Sequence, residues 1–288
     1  MSTAASVPAS VYALTALAML AFAANSVLIR FALGATEIDA TTFTTVRLLS
    51  GALALGLVVR WRKRPAVPPS GGGWPLAAAL FVYAAAFSLA YVTLETGTGA
   101  LLLFGAVQLT MIGYGLGRGE RLTGRQTLGL TVALGGFVYL VLPGLSAPPP
   151  GPALLMALAG ASWGVYSLRG RGTHDPVATS AENFLRAAPL AAVLSLLVLL
   201  LPGAELRPDG LGMAYAAFSG AVTSGLGYVV WYTVLPSLPA TSAATVQLSV
   251  PVLAALGGVV FVGEPLTLRL LLASAAILGG MALVLRRH

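Results

Sequence analysis

Val107-Gln108-Leu109-Thr110 recurs as Val246-Gln247-Leu248-Ser249, and each copy leads through an apolar run to a Gly-Glu-x-Leu-Thr phrase. The first phrase is Gly119-Glu120-Arg121-Leu122-Thr123 and the second is Gly263-Glu264-Pro265-Leu266-Thr267. A shift of 139 residues superimposes the two glutamines, and it also places Arg47 on Arg186 and Arg30 on Arg169. Beyond the glutamines the shift becomes 144, which sets Glu120 on Glu264, Arg125 on Arg269 and Gly135-Gly136 on Gly279-Gly280. One change of register means one small insertion in a duplicated chain. The two copies run over about 11–142 and 152–285.

Composition says where such a chain lives. Hydrophobic residues make up 57 % and charged residues 9 %, and the mean hydropathy is +0.89. A soluble domain carries roughly a quarter of its residues charged. The fold class expected is therefore an all-α integral membrane protein, with residues 1–288 forming a single transmembrane domain. Crossing the hydrocarbon core takes about 20 apolar residues, and ten segments qualify: 11–32, 41–60, 74–94, 98–117 and 124–142, then 152–169, 177–201, 211–232, 240–261 and 267–285. Short loops of Gly, Pro and charged residues separate them. Met1 to Ser10 has no Lys or Arg, unlike the basic start of a secretory signal peptide, so the first apolar run is expected to stay as a membrane helix.

The formal net charge of +7 does not point to nucleic acid, because the basic residues fall in short clusters between apolar runs. They report topology instead. One side collects Arg60, Arg62, Lys63, Arg64, Arg118, Arg121, Arg125, Arg169, Arg171, Arg286 and Arg287, and the other collects Arg30, Arg207 and Arg269. By the positive-inside rule both termini are cytoplasmic. Arginine greatly outnumbers lysine, whose single copy is Lys63; with abundant Ala, Gly and Pro this suggests a bacterial gene and hence a bacterial inner membrane. Five spans per half is an odd number, so the second half enters the membrane upside down relative to the first. Inverted repeats are a device of secondary transporters, in which two like halves exchange roles between outward-open and inward-open states. The different-class reading is a non-transporting receptor or scaffold, duplicated for stability alone.

Ten spans in two five-helix repeats, each closing with an apolar helix after Gly-Glu-x-Leu-Thr, resemble the drug/metabolite transporter superfamily and its EamA family. Ser162-Trp163-Gly164 in the sixth span is similar to the Trp-Gly that opens family repeats. The first repeat departs from it, with Ala24-Asn25-Ser26 at that place, so the halves need not line a pathway equally. Within the family the chain looks most like bacterial amino-acid exporters of the YddG type. That resemblance implies export of aromatic or apolar amino acids, with a proton-coupled drug or nucleobase exporter as the alternative. The implied partners are a small-molecule substrate and the lipid bilayer, with a monomer as the expected unit.

Polar side chains in lipid are costly and usually face the bundle interior. Asn25, Gln108 and Gln247 are therefore candidates for a substrate-lined path, or for hydrogen-bonded glue between helices. Arg47 and its mate Arg186 lie shallow in the second and seventh spans, where snorkelling to the interface is open to them. Glu182 sits four residues before Arg186, the spacing of a same-face ion pair. The sharper reading makes Arg186 a carboxylate-binding group and Glu182 a possible coupling residue. Tyr83, Phe87 and Tyr91 recur every four residues as one stripe, and Trp163 and Tyr166 add rings on the sixth span. Rings that carry a donor suit an amphipathic solute, and Trp163 leads these candidates. Tyr228, Trp231 and Tyr232 follow on the eighth span, the last two at the depth of an aromatic belt.

Catalysis finds no support. Gly160-Ala161-Ser162-Trp163-Gly164 matches the nucleophile-elbow pattern, which needs a strand-to-helix turn, but it lies inside an apolar span. The histidines are His174 and His288, cysteine is absent, and no metal-ligand spacing occurs. Lys63 lacks the preceding Gly-rich loop of an ATP site. No enzyme activity, catalytic residue, cofactor, metal or ATP is expected.

Overall fold

In lipid every backbone polar group must be satisfied inside its own segment, so the apolar runs become helices. The computed structural model describes residues 9–62, 73–119, 121–144, 147–170, 175–203, 205–238 and 246–285, and among them there is no strand. The first half comprises α1 (Ala9–Ala35), α2 (Ala40–Trp61), α3 (Trp74–Ala90), α4 (Thr96–Gly117) and α5 (Gly124–Val141). The second comprises α6 (Pro150–Gly170), α7 (Pro176–Leu199), α8 (Gly210–Ser237), α9 (Ser249–Val262) and α10 (Leu268–Leu285). α8 contains a π-helical turn at Ser219–Leu226 and α9 another at Gly258–Val262. Seven of the ten are long and apolar enough by themselves to cross a membrane. α3 falls short of the expected 74–94 because the winding tightens after Ala90, the Val92 and Thr93 N–H groups bonding three residues back to the Leu89 and Ala90 carbonyls at 3.4 and 3.3 Å.

Starts are written in the sequence as caps. Asp39 accepts from the backbone N–H groups of Thr41 and Thr42 at 2.9 Å, and Asp175 does the same for Val177 and Ala178 at 3.1 Å. Thr123 and Gln126 form a reciprocal capping box on α5. Each satisfies orphan donors of a first turn.

The packing maps onto itself when the halves are exchanged. α2 lies on α7, α4 on α9 and α5 on α10, while α3 against α6 mirrors α8 against α1. Contacts at the helix ends show the inversion. Arg62, at the end of α2, lies 3.8 Å from Asp175 at the start of α7, and Gln126 at the start of α5 donates to the Val284 carbonyl at the end of α10. On the opposite face the end of α1 meets the end of α9 through Arg30 and Glu264, and Asp39 accepts from the Arg207 backbone N–H at 2.8 Å. α1 thus ends on the Arg30 face, whereas its repeat mate α6 ends on the Arg62 face. Lys63, Arg64, Glu120, Arg171, His174, Arg286, Arg287, His288 and the first residues of the expected ninth span lie outside the described residues.

Small residues let backbones close up. A Cβ on Gly129 of α5 would stand 2.6 Å from the Gly280 carbonyl oxygen of α10, and one on Gly280 would stand 2.5 Å from that of Gly129. Gly164 on α6 similarly abuts Thr110 of α4, which is the close approach expected of small-x-x-x-small spacing. Outward-facing Leu53, Leu154, Leu196 and Val260 are exposed, as a lipid-bathed surface requires.

Candidate functional site

The site begins at Asn25, buried on α1. Its carboxamide oxygen accepts from the hydroxyls of Ser219 at 2.8 Å and Ser224 at 3.3 Å, and also from that of Thr223. All three donors lie in the π-helical turn of α8, whose wider winding is often found at functional positions. Ser224 is shared, for Arg47 Nε donates to its Oγ at 3.1 Å. Arg47 Nη2 donates to the Tyr83 hydroxyl at 3.2 Å, and the guanidinium lies 5.4 Å from the Tyr83 ring centre and 5.0 Å from that of Phe87. These are cation–π distances.

Across from this polar wall stands Trp163. Its ring is 4.8 Å from Tyr228, 5.1 Å from Tyr83, 5.5 Å from Tyr166 and 6.0 Å from Phe22. Between these groups is a small central cavity lined by Phe22, Asn25, Tyr83, Phe87, Leu103, Phe104, Trp163 and Tyr228. Its free space is about 10 Å³, room for about one water. The cavity is occluded: it draws on α1, α3 and α4 of one half and α6 and α8 of the other.

One end is latched. Glu264, just beyond α9, accepts from Arg30 Nε at 3.0 Å and from the Thr96 backbone N–H at 2.7 Å, at the first turn of α4. Arg30 Nη1 also donates to the carbonyls of Tyr91 and Val92, at 3.3 and 3.2 Å. A carboxylate at a helix N-terminus and a guanidinium on spare carbonyls are both favourable pairings. Four helix ends, those of α1, α3, α4 and α9, are thereby tied together. Glu95, next to the latch, has its carboxyl pushed up by burial first and by the Glu264 carboxylate second, with Arg30 opposing.

Of the residues expected to form a site, the structure brings together Asn25, Tyr83 and Trp163 at the cavity. Tyr166 stacks behind Trp163 and accepts a hydrogen bond from Asn183 Nδ2 at 3.3 Å. Tyr91 continues the stripe, its ring 4.8 Å from that of Phe87, but it lies beyond the cavity; its hydroxyl donates to the Thr96 carbonyl at 3.2 Å, which makes it part of the latch. Gln108 and Gln247 are buried but do not line the cavity. Arg186 and Glu182 form the expected i, i+4 ion pair on α7 and take no part in the cavity.

Two expectations are corrected. Arg47 does not snorkel: it is 1 % exposed, turned inward to Ser224 and Tyr83, and Gly220 of α8 packs directly on its backbone carbonyl. Trp231 and Tyr232 are buried rather than set in a surface belt. They share with Tyr228 the i, i+3, i+4 face of the α-helical stretch Gly227–Val234, and that face is buried. Sequence reasoning also passed over Phe22, Leu103, Phe104, the three hydroxyls of α8 and the Arg30–Glu264 latch. The signals were present. Ser219, Thr223 and Ser224 cluster in an otherwise apolar span, and Arg30 and Glu264 both belong to the register of the duplication.

An inverted-repeat helical bundle with an occluded cavity at the junction of its halves defines the class: a multi-pass membrane transporter. The chain belongs to the EamA-like transporter family of the drug/metabolite transporter superfamily. The family's model matches residues 151–286. "Uncharacterized protein PA1977" of Pseudomonas aeruginosa is 61 % identical over 272 residues, covering 94 % of this chain and 93 % of that one. An "Uncharacterized transporter" of Archaeoglobus fulgidus is 28 % identical over 274 residues, covering 93 % and 95 %. A solved crystal structure is similar over 96 % of each chain with a TM-score of 0.65 and 20 % identity, which shows the shared fold.

Proposed function

We propose that this transporter exports small amphipathic metabolites, foremost amino acids with aromatic or apolar side chains, by alternating access across a bacterial inner membrane. The observation that carries this reading is the ring-lined cavity shared by both halves, with a polar wall on one side only. Apolar rings accept the body of such a solute and a few placed polar groups orient it. The Arg30–Glu264 latch closes one end. Arg169, the repeat mate of Arg30, belongs to the opposite face by the inversion, so opening of the Arg30–Glu264 latch as that face closes is the exchange that alternating access requires.

Both termini are assigned to the cytoplasm, since Arg60, Arg62, Arg118, Arg121, Arg125 and Arg169 belong to the Arg62 face and Arg30, Arg207 and Arg269 to the other. The unit is proposed to work as a monomer and to move its cargo down a gradient. The carboxylate placed within a helix near the site, Glu182, is occupied by Arg186.

The test is flux from liposomes holding the purified protein and loaded in turn with aromatic, branched and polar amino acids. Saturable efflux of the aromatic or apolar ones, lost in Trp163→Ala and insensitive to an imposed pH gradient, is the expected outcome. Absence of flux for every amino acid overturns the exporter reading, and flux that follows the pH gradient replaces facilitated movement with proton antiport.

A further inference from the structure

Arg47 is a buried cation without a carboxylate. The guanidiniums of Arg30, Arg62, Arg186 and Arg207 each lie against an acidic side chain, whereas Arg47, the most buried of these, touches neutral groups: the Ser224 and Tyr83 hydroxyls and the rings of Tyr83 and Phe87. The Tyr228 hydroxyl is a further neutral neighbour hydrogen-bonded to the same guanidinium, and Nη1 makes no bond of full geometry beyond it. The buried cation therefore meets neutral groups alone. Tyr83, Phe87 and Tyr228 are cavity walls, and Arg47 stands directly behind Tyr83 and Phe87, one side chain outside the lining.

An uncompensated charge taken out of water is strongly unfavourable, and an ionisable group at membrane depth marks a substrate or ion path by default. Arginine is the side chain whose planar fork matches a carboxylate in two-pronged fashion. Nη1 has at most the neutral Tyr228 hydroxyl to exchange, and Nη2 becomes free once the single bond to Tyr83 is exchanged. No acidic side chain lines the cavity among the described residues, so the site offers nothing to neutralise a purely cationic solute.

We propose that Arg47, assisted by the Tyr228 hydroxyl, is the anion-binding group of the cavity, and that the cargo is a small carboxylate whose apolar or aromatic body lies against Trp163. This rests on the transporter reading and narrows it: carboxylic acids and zwitterions are carried, and amines or amides of the same body are refused.

The test uses three probes with one phenyl body: 3-phenylpropanoate, L-phenylalanine and L-phenylalaninamide. Binding to the purified full-length protein is followed by intrinsic tryptophan fluorescence, and passage is followed in liposomes. The two carboxylates are expected to bind about ten- to a hundredfold more tightly than the amide, the loss expected for one charge-assisted contact. Arg47→Gln brings the three probes to within about twofold of one another, Arg47→Lys keeps part of the preference as a point charge, and Tyr228→Phe reduces it without abolishing it. Should Arg47→Gln fail to fold, the Lys and Tyr228→Phe variants decide the matter by the same ratio. Equal binding of amide and carboxylates by the unaltered protein, or a preference that survives Arg47→Gln, overturns the assignment. Selective binding with no passage of any probe leaves Arg47 as the anion site and sinks the transporter reading; passage without a carboxylate preference does the reverse. No binding of any of the three overturns the assignment.

Discussion

Arg47 and Arg186 hold equivalent places in the two halves and live in opposite surroundings. Four residues before Arg186 stands Glu182, and the two form an ion pair that is partly exposed. Four residues before Arg47 stands Phe43, fully buried, so the same guanidinium in the first half has no acidic partner on its own helix face. Trp163 shows the reverse imbalance: its mate by the 139-residue shift is Ala24. The duplication has kept the helical frame alike and made the site lopsided, with the cation and Asn25 from one half and the large ring and the hydroxyls from the other.

Breaking the ring side should have the largest effect. Trp163→Ala removes a buried aromatic that touches four other rings and is expected to lower the unfolding free energy by about 3–5 kcal/mol. The matching change in the other half, Ala24→Gly, is expected to cost about 1 kcal/mol. Reversible unfolding in mixed micelles compares the two, and equal losses would mean that the halves contribute alike.

Next in size is the latch. Glu264→Gln loses an ion pair and the cap on α4, together about 1–3 kcal/mol of local stability. Hydrogen–deuterium exchange across residues 88–99 should speed up accordingly. Arg169→Gln, altered on the opposite face, should leave exchange in that segment as it was.

A smaller effect comes with pH. The Glu95 carboxyl is raised by burial and by Glu264, so the latched arrangement binds a proton more readily than an opened one does. That contribution is fully present below the ordinary carboxylate pKa of about 4.3 and fades as pH rises through the raised value. Exchange of residues 88–99, corrected for its intrinsic rate, should therefore slow on acidification from neutral pH, and Glu95→Gln should flatten the response. The smallest change is expected from Glu182→Gln, which breaks a partly exposed pair worth at most about 1 kcal/mol. Its flux should keep the pH dependence of the unaltered protein; a shifted profile would make Glu182 a proton carrier.

The fold was readable because its signals are long and collective. Apolar runs, loop charges and the repeated Gln and Glu phrases each extend over many residues, and they agree with one another. The site was readable in part. Trp163, Tyr83 and Asn25 stand out as rings or amides in lipid, but the inward turn of Arg47 meets Ser224 of α8, 177 positions away, a contact that no local pattern encodes. Tyr91 does continue the four-residue stripe, its ring 4.8 Å from Phe87, but spacing along one helix does not say how far the cavity reaches, and Tyr91 lies beyond it. Depth alone puts Trp231 and Tyr232 in an aromatic belt, and depth does not tell which face of a helix is buried.

Where α5 and α10 meet, the carbonyls of Gly129 and Gly280 each occupy the space a methyl group would need. At those two points main chain meets main chain, while Ala133, Ile277 and Val284 pack close by. The approach of α5 to α10 is therefore set by atoms that have no rotamer to yield, and a single added methyl at Gly280 would act as a wedge between the halves.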